Sequence, residues 1–269
     1  MYINTAGLVL RETAYKDSSK ILTVLTGSEG KLTVSARGAL RRNSKLAAVT
    51  QLLAFSEMTL FSRGDRWTLT EARSVEQFIG LRDDIALLAL GAYFAELTEA
   101  VSDEDSPNPE LLPLCLNALY VLSEKIKTPQ QVKPAFELRL MAISGFAPLI
   151  ECCSICSRED PERAFLDPSG GTICCESCQI IPTADFSMAA NGVAESGMSS
   201  GYNAVDGKIS LSRGALSAAR YIIGCDAKKL FSFSISNSSI RELSAATEGY
   251  LLAHLDRRFR TLDYYYGVK

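Results

Sequence analysis

Residues 21–36 read ILTVLTGSEGKLTVSA, two β-branched, apolar runs joined by a loop bounded by glycines. In Lys31–Ala36 the apolar residues Leu32, Val34 and Ala36 occupy every second position, the period of a strand with one buried face. Gly27-Ser-Glu-Gly30 then reads as the hairpin loop between two strands. Three further runs flank this pair, Thr5–Arg11, Leu52–Phe61 and Arg66–Ala72, the last alternating through Trp67 and Leu69. Five short strands within residues 1–80 point to a small closed barrel of the oligonucleotide/oligosaccharide-binding (OB) type.

Beyond Leu81 the period changes to that of helices. Ile85, Leu88, Tyr93, Leu97 and Val101 recur at helical spacing as far as the acidic, proline-broken stretch from Ser102 to Pro109. Pro109–Glu124, Pro129–Ser144, Ser212–Gly224 and Ser238–Leu262 read as further helices. The expected fold is therefore an α+β multidomain chain. Residues 1–80 form the OB-type barrel, and residues 81–269 form an all-helical domain interrupted by a cysteine-rich insert at 146–182.

Six of the eight cysteines fall between Cys152 and Cys178. Cys153-Ser-Ile-Cys156 and Cys175-Glu-Ser-Cys178 are two C-x2-C turns separated by 18 residues, with the turn sequence Asp167-Pro-Ser-Gly-Gly171 between them. Each turn presents two thiolates to one cation, and two turns complete a four-thiolate zinc shell with no open position for water. Cys152 and Cys174 each precede a pair and are alternative ligands on the sequence alone. Cys115 and Cys225 sit in apolar helical contexts and read as core residues.

Charge is unevenly distributed along a chain whose net charge is −3. Residues 1–80 hold 11 Lys and Arg against 7 Asp and Glu, residues 81–180 hold 7 against 16, and residues 181–269 hold 10 against 8. No acidic residue lies between Gly30 and Ser56, where Lys31, Arg37, Arg41, Arg42 and Lys45 fall. Such a segment, read as a flexible loop leaving a strand, suits phosphate contacts. Arg63, Arg66 and Trp67 form a second cationic cluster, with the tryptophan read as core rather than as a base-stacking platform.

The single histidine, His254, reads as a packing residue, which argues against His-dependent nucleophilic catalysis and His-bound metals. Gly27-Ser-Glu-Gly30-Lys31 lacks the glycine spacing of a phosphate loop. The opening residues lack a signal-peptide pattern, and no apolar run reaches the roughly 18–20 residues of a membrane span, so the chain is read as cytoplasmic. No enzyme is expected. The residues allow a DNA-binding protein or a zinc-stabilised protein-interaction adaptor or transcription factor.

The sequence resembles the RecO family of bacterial DNA repair and recombination mediators. The likeness begins with Gly7-Leu-Val-Leu-Arg11, Tyr15-Lys-Asp-Ser-Ser-Lys20 and Glu29-Gly-Lys31, and continues through Arg37-Gly38-Ala39 and Ser44-Lys45-Leu46. It returns at Gly145-Phe-Ala-Pro148, Gly170-Gly171, Leu230-Phe-Ser-Phe233 and Arg241-Glu-Leu243, and at the end through Tyr250, His254 and Arg257. The resemblance implies binding of single- and double-stranded DNA, annealing of complementary strands, and action with RecR and the single-strand binding protein so that RecA loads. On this sequence the DNA surface would include Lys31, Arg37, Arg41, Arg42 and Lys45. A groove of the helical domain would take the acidic C-terminal tail of the single-strand binding protein, with Arg220, Lys228, Lys229 and Arg257 as its candidate cations. The family's Gly-Gly-to-cysteine spacing points to Cys174 as third ligand, whereas the C-x2-C spacing points to Cys175.

Overall fold

The computed structural model describes residues 1–64, 66–104, 106–179, 204–205 and 207–269. The N-terminal strands are β1 (Tyr2–Tyr15), β2 (Ser19–Thr26), β3 (Lys31–Ala36), β4 (Phe55–Arg63) and β5 (Arg66–Glu76), closed in the order β1-β2-β3-β5-β4. All pairings are antiparallel except β3 with β5, where Val34 lies beside Trp67 and Ser35 beside Thr68. The expected five-stranded barrel is present. Alternation explains it: Leu22, Val24, Leu32, Val34, Met58, Leu60 and Leu69 turn inward and form a buried core. Register shifts in β1 and in the β4–β5 pair supply the bends that a small barrel needs to close.

Two expectations shift in detail. The fourth strand starts at Phe55 rather than Leu52, because Leu53 adopts a left-handed φ of 65° and ends the preceding turn. The segment expected as a flexible loop is a run of hydrogen-bonded turns. Arg41 N–H donates to Gly38 O, Ser44 N–H to Arg41 O and Ala47 N–H to Ser44 O. Ala39 and Val49 anchor this run by burial.

The helices follow as α1 (Ile79–Arg82), α2 (Ile85–Val101), α3 (Leu111–Ser123) and α4 (Pro129–Ile143). The Asp84 carboxylate caps α2 by accepting from Ala86 N–H and Leu87 N–H. Packing divides the chain into two units, residues 1–136 with 258–269, and residues 137–257. In the first unit the barrel is held to α2 by Glu99. Its carboxylate takes Arg11 at 2.9 Å, and its backbone carbonyl takes Lys31 Nζ at 3.0 Å. The aromatic stack of Phe94 on Phe136, with ring centroids 4.0 Å apart, adds apolar burial.

The second unit contains β6 (Arg163–Asp167), β7 (Thr172–Cys175), α5 (Glu176–Gln179), β8 (Ala204–Val205), β9 (Lys208–Ser212), α6 (Arg213–Gly224) and α7 (Asn237–Leu255). The cysteine insert is thus built into a four-stranded antiparallel sheet, ordered β7-β6-β9-β8, that the sequence reading lacks. Ser212 and Ser236 cap α6 and α7 through their hydroxyls. The final helix expected over Ser238–Leu262 is two helices. Asp256 takes a left-handed φ of 44° and terminates α7, and α8 (Arg260–Val268) starts anew, packing on α2 in the first unit.

Candidate metal centre and nucleic-acid interface

The β6–β7 hairpin sets one half of the cysteine site. Its turn requires Gly171, whose φ of +65° suits a glycine, and a Cβ there would lie 3.2 Å from the Tyr250 ring. Gly171 N–H donates to Asp167 O at 2.9 Å, and the turn hands Cys175 to the end of β7. One turn of helix later, α5 returns Cys178. The other half is the loop at Cys153-Ser-Ile-Cys156. It closes through Ser157 N–H to Cys153 O at 2.9 Å and is tied to β7 by Ser154 N–H to Ile173 O at 2.8 Å.

The Sγ atoms of Cys153, Cys156, Cys175 and Cys178 all lie within 4.8 Å of one another, and Cys156 and Cys175 are 3.7 Å apart. A tetrahedral ion with metal–sulfur distances of ~2.3 Å needs sulfur–sulfur separations of about 3.8 Å, so the cage fits such an ion. The donor set is four sulfurs with no carboxylate or imidazole among the clustered ligands. Cys174 is not part of it. Successive residues of a strand face opposite ways, and Cys174 Sγ turns to Phe165 O, to Gln179 Oε1 at 2.9 Å and to Lys208 Nζ at 3.8 Å. The C-x2-C register therefore prevails over the Gly-Gly spacing, and Cys152 stays outside the cluster.

The thiols are electrostatically graded. Burial pushes Cys153 up, but the backbone N–H groups of Cys156, Cys175 and Ile155 outweigh it and hold the thiol down at about 6. Cys178, hydrogen-bonded to the sulfurs of Cys156 and Cys175, is pushed up to about 12. The surroundings thus favour the thiolate form at Cys153 and the protonated form at Cys178. Arg220, placed on α6, braces the same loop: its guanidinium donates to the carbonyls of Ile150, Glu151 and Glu159 at 2.7–2.8 Å. Lys228 and Lys229 are exposed in a short 3-10 turn after α6, and Arg257 is exposed just past α7. His254 packs against the Tyr250 ring with centroids 4.0 Å apart, as its expected structural role requires.

On the barrel, a cleft of about 1200 Å³ is lined by Tyr15, Lys16, Arg37, Arg41, Arg63, Arg66 and Trp67, with Ile21, Thr33, Ser35, Phe61 and Thr68 among its floor residues. Five cations line it, and none of the described residues lining it is acidic. Leu40 N–H donates to Ser18 O at 3.0 Å, which pins the turns carrying Arg37 and Arg41 against the β1–β2 connection carrying Lys16. Arg63 and Arg66 face each other across the β4–β5 turn. Of the residues expected from sequence, Arg37 and Arg41 reach this cleft, whereas Arg42 and Lys45 are exposed on the adjoining turns outside its lining. Lys31 is elsewhere, its ammonium held by Glu99 O. Tyr15, Lys16 and Phe61 lie outside the acid-free stretch between Gly30 and Ser56, so the charge pattern does not single them out. The outward positions of alternating strands were the signal that could have found Phe61. Trp67 is only partly buried: it packs on the barrel core and also lines the cleft.

The family model for the N terminal of recombination protein O matches residues 1–78, and the model for its C terminal matches residues 82–263. The chain belongs to the RecO family. Similar proteins are the DNA repair protein RecO of Acetivibrio thermocellus, 29% identical over 263 residues that cover 98% of this chain and 96% of the relative. The DNA repair protein RecO of Caldicellulosiruptor bescii is 30% identical over 263 residues, covering 98% and 97%. That of Listeria monocytogenes is 34% identical over 168 residues, covering 62% of this chain and 66% of its own. The N-terminal RecO model ends just past β5, so the cationic cleft lies wholly within its span. The C-terminal model contains the four-cysteine cage. Among the described residues no helix is long and apolar enough to cross a membrane.

Proposed function

We propose that this RecO-family chain is a non-catalytic DNA repair and recombination mediator that binds DNA phosphates in the barrel cleft. The observation that carries this reading is the set of five cations, with no carboxylate among the described lining residues, on the outer face of an OB-type barrel. Phosphates of two strands held there lose much of their mutual repulsion, and complementary strands then anneal. In this reading the chain acts with RecR and the single-strand binding protein so that RecA loads on gapped DNA. The tail of the single-strand binding protein meets the second unit at Lys228, Lys229 and Arg257. Arg220, whose donors are engaged by three carbonyls, serves the cysteine loop instead.

The four thiolates of Cys153, Cys156, Cys175 and Cys178 would hold one zinc ion, which when bound supplies a structural cross-link in a segment with little core of its own. The test is annealing of complementary strands coated with single-strand binding protein, comparing the native chain with the Arg37→Ala/Arg41→Ala/Arg42→Ala variant. The expected result is acceleration by the native chain and loss of most of it in the variant. Equal annealing by the two proteins, or none by either, overturns the reading.

A further inference from the structure

The strand register draws a row of outward side chains around the barrel. Ile21 lies beside Ser35, Ser35 beside Thr68, Thr68 beside Phe61, and Phe61 beside Tyr2. Their chain neighbours Leu22, Val34, Leu69 and Leu60 are buried in the barrel, so the row lies on its outer surface. The middle of the row is small and polar, Ser35 and Thr68, and forms the cleft floor. Its end is aromatic. The Phe61 and Tyr2 rings are 4.8 Å apart between centroids and tilted by 45°, and Tyr2 is 67% exposed.

Cations flank this row on both sides. Arg63 and Arg66 stand one outward step from Phe61 and Thr68 towards the β4–β5 turn. Arg37 stands one outward step from Ser35 in the opposite sense, because β3 and β5 run parallel. A polyanion passing from Arg37 and Arg41 to Arg63 and Arg66 must cross the row and leave beside the two rings. A half-buried Phe61 under an exposed Tyr2, beside a cationic path, offers ring surface of the kind that unpaired bases bind, since every base has a π-face. Duplex DNA has its base faces already stacked and can use only the cations.

We propose that Tyr2 and Phe61 form a base-stacking platform that makes the cleft prefer single-stranded over double-stranded DNA. This rests on the reading that the cleft binds DNA. On binding, one or two bases leave their own stack and lie against the rings, while the phosphates stay between the arginine pairs.

The test is fluorescence anisotropy at constant salt with a labelled oligonucleotide, single-stranded or annealed to its complement, on the full chain. Tyr2→Ala and Phe61→Ala are each expected to weaken the single strand by about tenfold and the duplex by less than about twofold, from the worth of one base–aromatic stack. Tyr2→Phe retains the native preference. Trp67, the single tryptophan and a cleft residue, reports through its quenching that DNA still enters the same cleft. Tyr2 is exposed enough that its alanine variant leaves the barrel core intact, which keeps the test valid if Phe61→Ala misfolds. Equal weakening of both DNA forms by Tyr2→Ala, or no weakening of either, refutes the platform. If Arg37→Ala/Arg41→Ala still weakens both forms in that case, DNA binding by the cleft stands and only the platform falls. If the arginine variant also binds both forms as the native chain does, the cleft reading itself falls.

Discussion

Replacing Arg37 and Arg41 by alanine removes two of the five cations that line the barrel cleft. Each phosphate neutralised on single-stranded DNA releases condensed counterions and contributes about −0.7 to the slope of log affinity against log salt. Five contacts give a slope of about −3.5, so raising KCl from about 50 to about 200 mM weakens binding roughly 130-fold. With three cations left the slope falls to about −2.1, and the same change in salt weakens binding only roughly 20-fold. The assay is anisotropy of a labelled oligonucleotide titrated at several KCl concentrations. Both side chains are exposed and contribute nothing to the barrel core, so the fold is expected to persist, checked by unchanged thermal unfolding. The same slope in variant and native chain, with affinity intact at low salt, would show that phosphates are bound elsewhere and would refute the reasoning. Lys31→Ala supplies a contrast. Its ammonium is held by Glu99 O, so its loss should reduce stability and leave the salt slope unchanged.

Other consequences follow from single positions. Gly80→Ala would put a Cβ 2.1 Å from the backbone carbonyl of Ser123, forcing α1 off α3. Unfolding should show a loss of ~1–3 kcal/mol, whereas Gly224→Ala, with nothing within 4 Å, should be neutral. Equal Tm values for the two variants would discredit the packing argument. Arg220→Ala leaves three carbonyls without their charged donor and should cost ~1–3 kcal/mol locally. A colorimetric chelator should then extract zinc faster, with DNA affinity unchanged; an unaltered extraction rate contradicts the bracing role. Burial pushes the Cys115 thiol up to about 12, so its preference for the neutral form stabilises the fold fully below pH 9 and is lost as pH rises through 12. In mass spectrometry after chelation at about pH 8, iodoacetamide should label exposed Cys156 early and Cys115 only on unfolding, because reaction requires thiolate and access. Early labelling of Cys115 would contradict its burial.

Much of the barrel was legible because its strands carry their own period: Leu32, Val34 and Ala36 alternate, and so they bury in one core. The cysteine knuckle was legible because C-x2-C is a local geometry. The break at Asp256 was not, since Ile240, Leu243, Tyr250, Leu251 and Phe259 keep helical spacing across it while the backbone turns left-handed. The sheet around the knuckle was missed for the same kind of reason. Its strand Lys208–Ser212 is short, and it is recognisable only through its pairing with Arg163–Leu166.

By itself, then, the sequence determined a barrel, a set of helices, two C-x2-C turns and a stretch free of acids, because each depends on neighbours within a few residues. Only the tertiary structure decided that Cys175 rather than Cys174 faces the other three thiols, because strand pairing chooses which side of β7 meets the first knuckle. It likewise removed Lys31 from the basic surface and brought Lys16, Arg63 and Arg66 to Arg37 and Arg41, residues up to 50 positions apart in the chain. Their meeting depends on closing five strands into one barrel, a long-range event that no local pattern encodes.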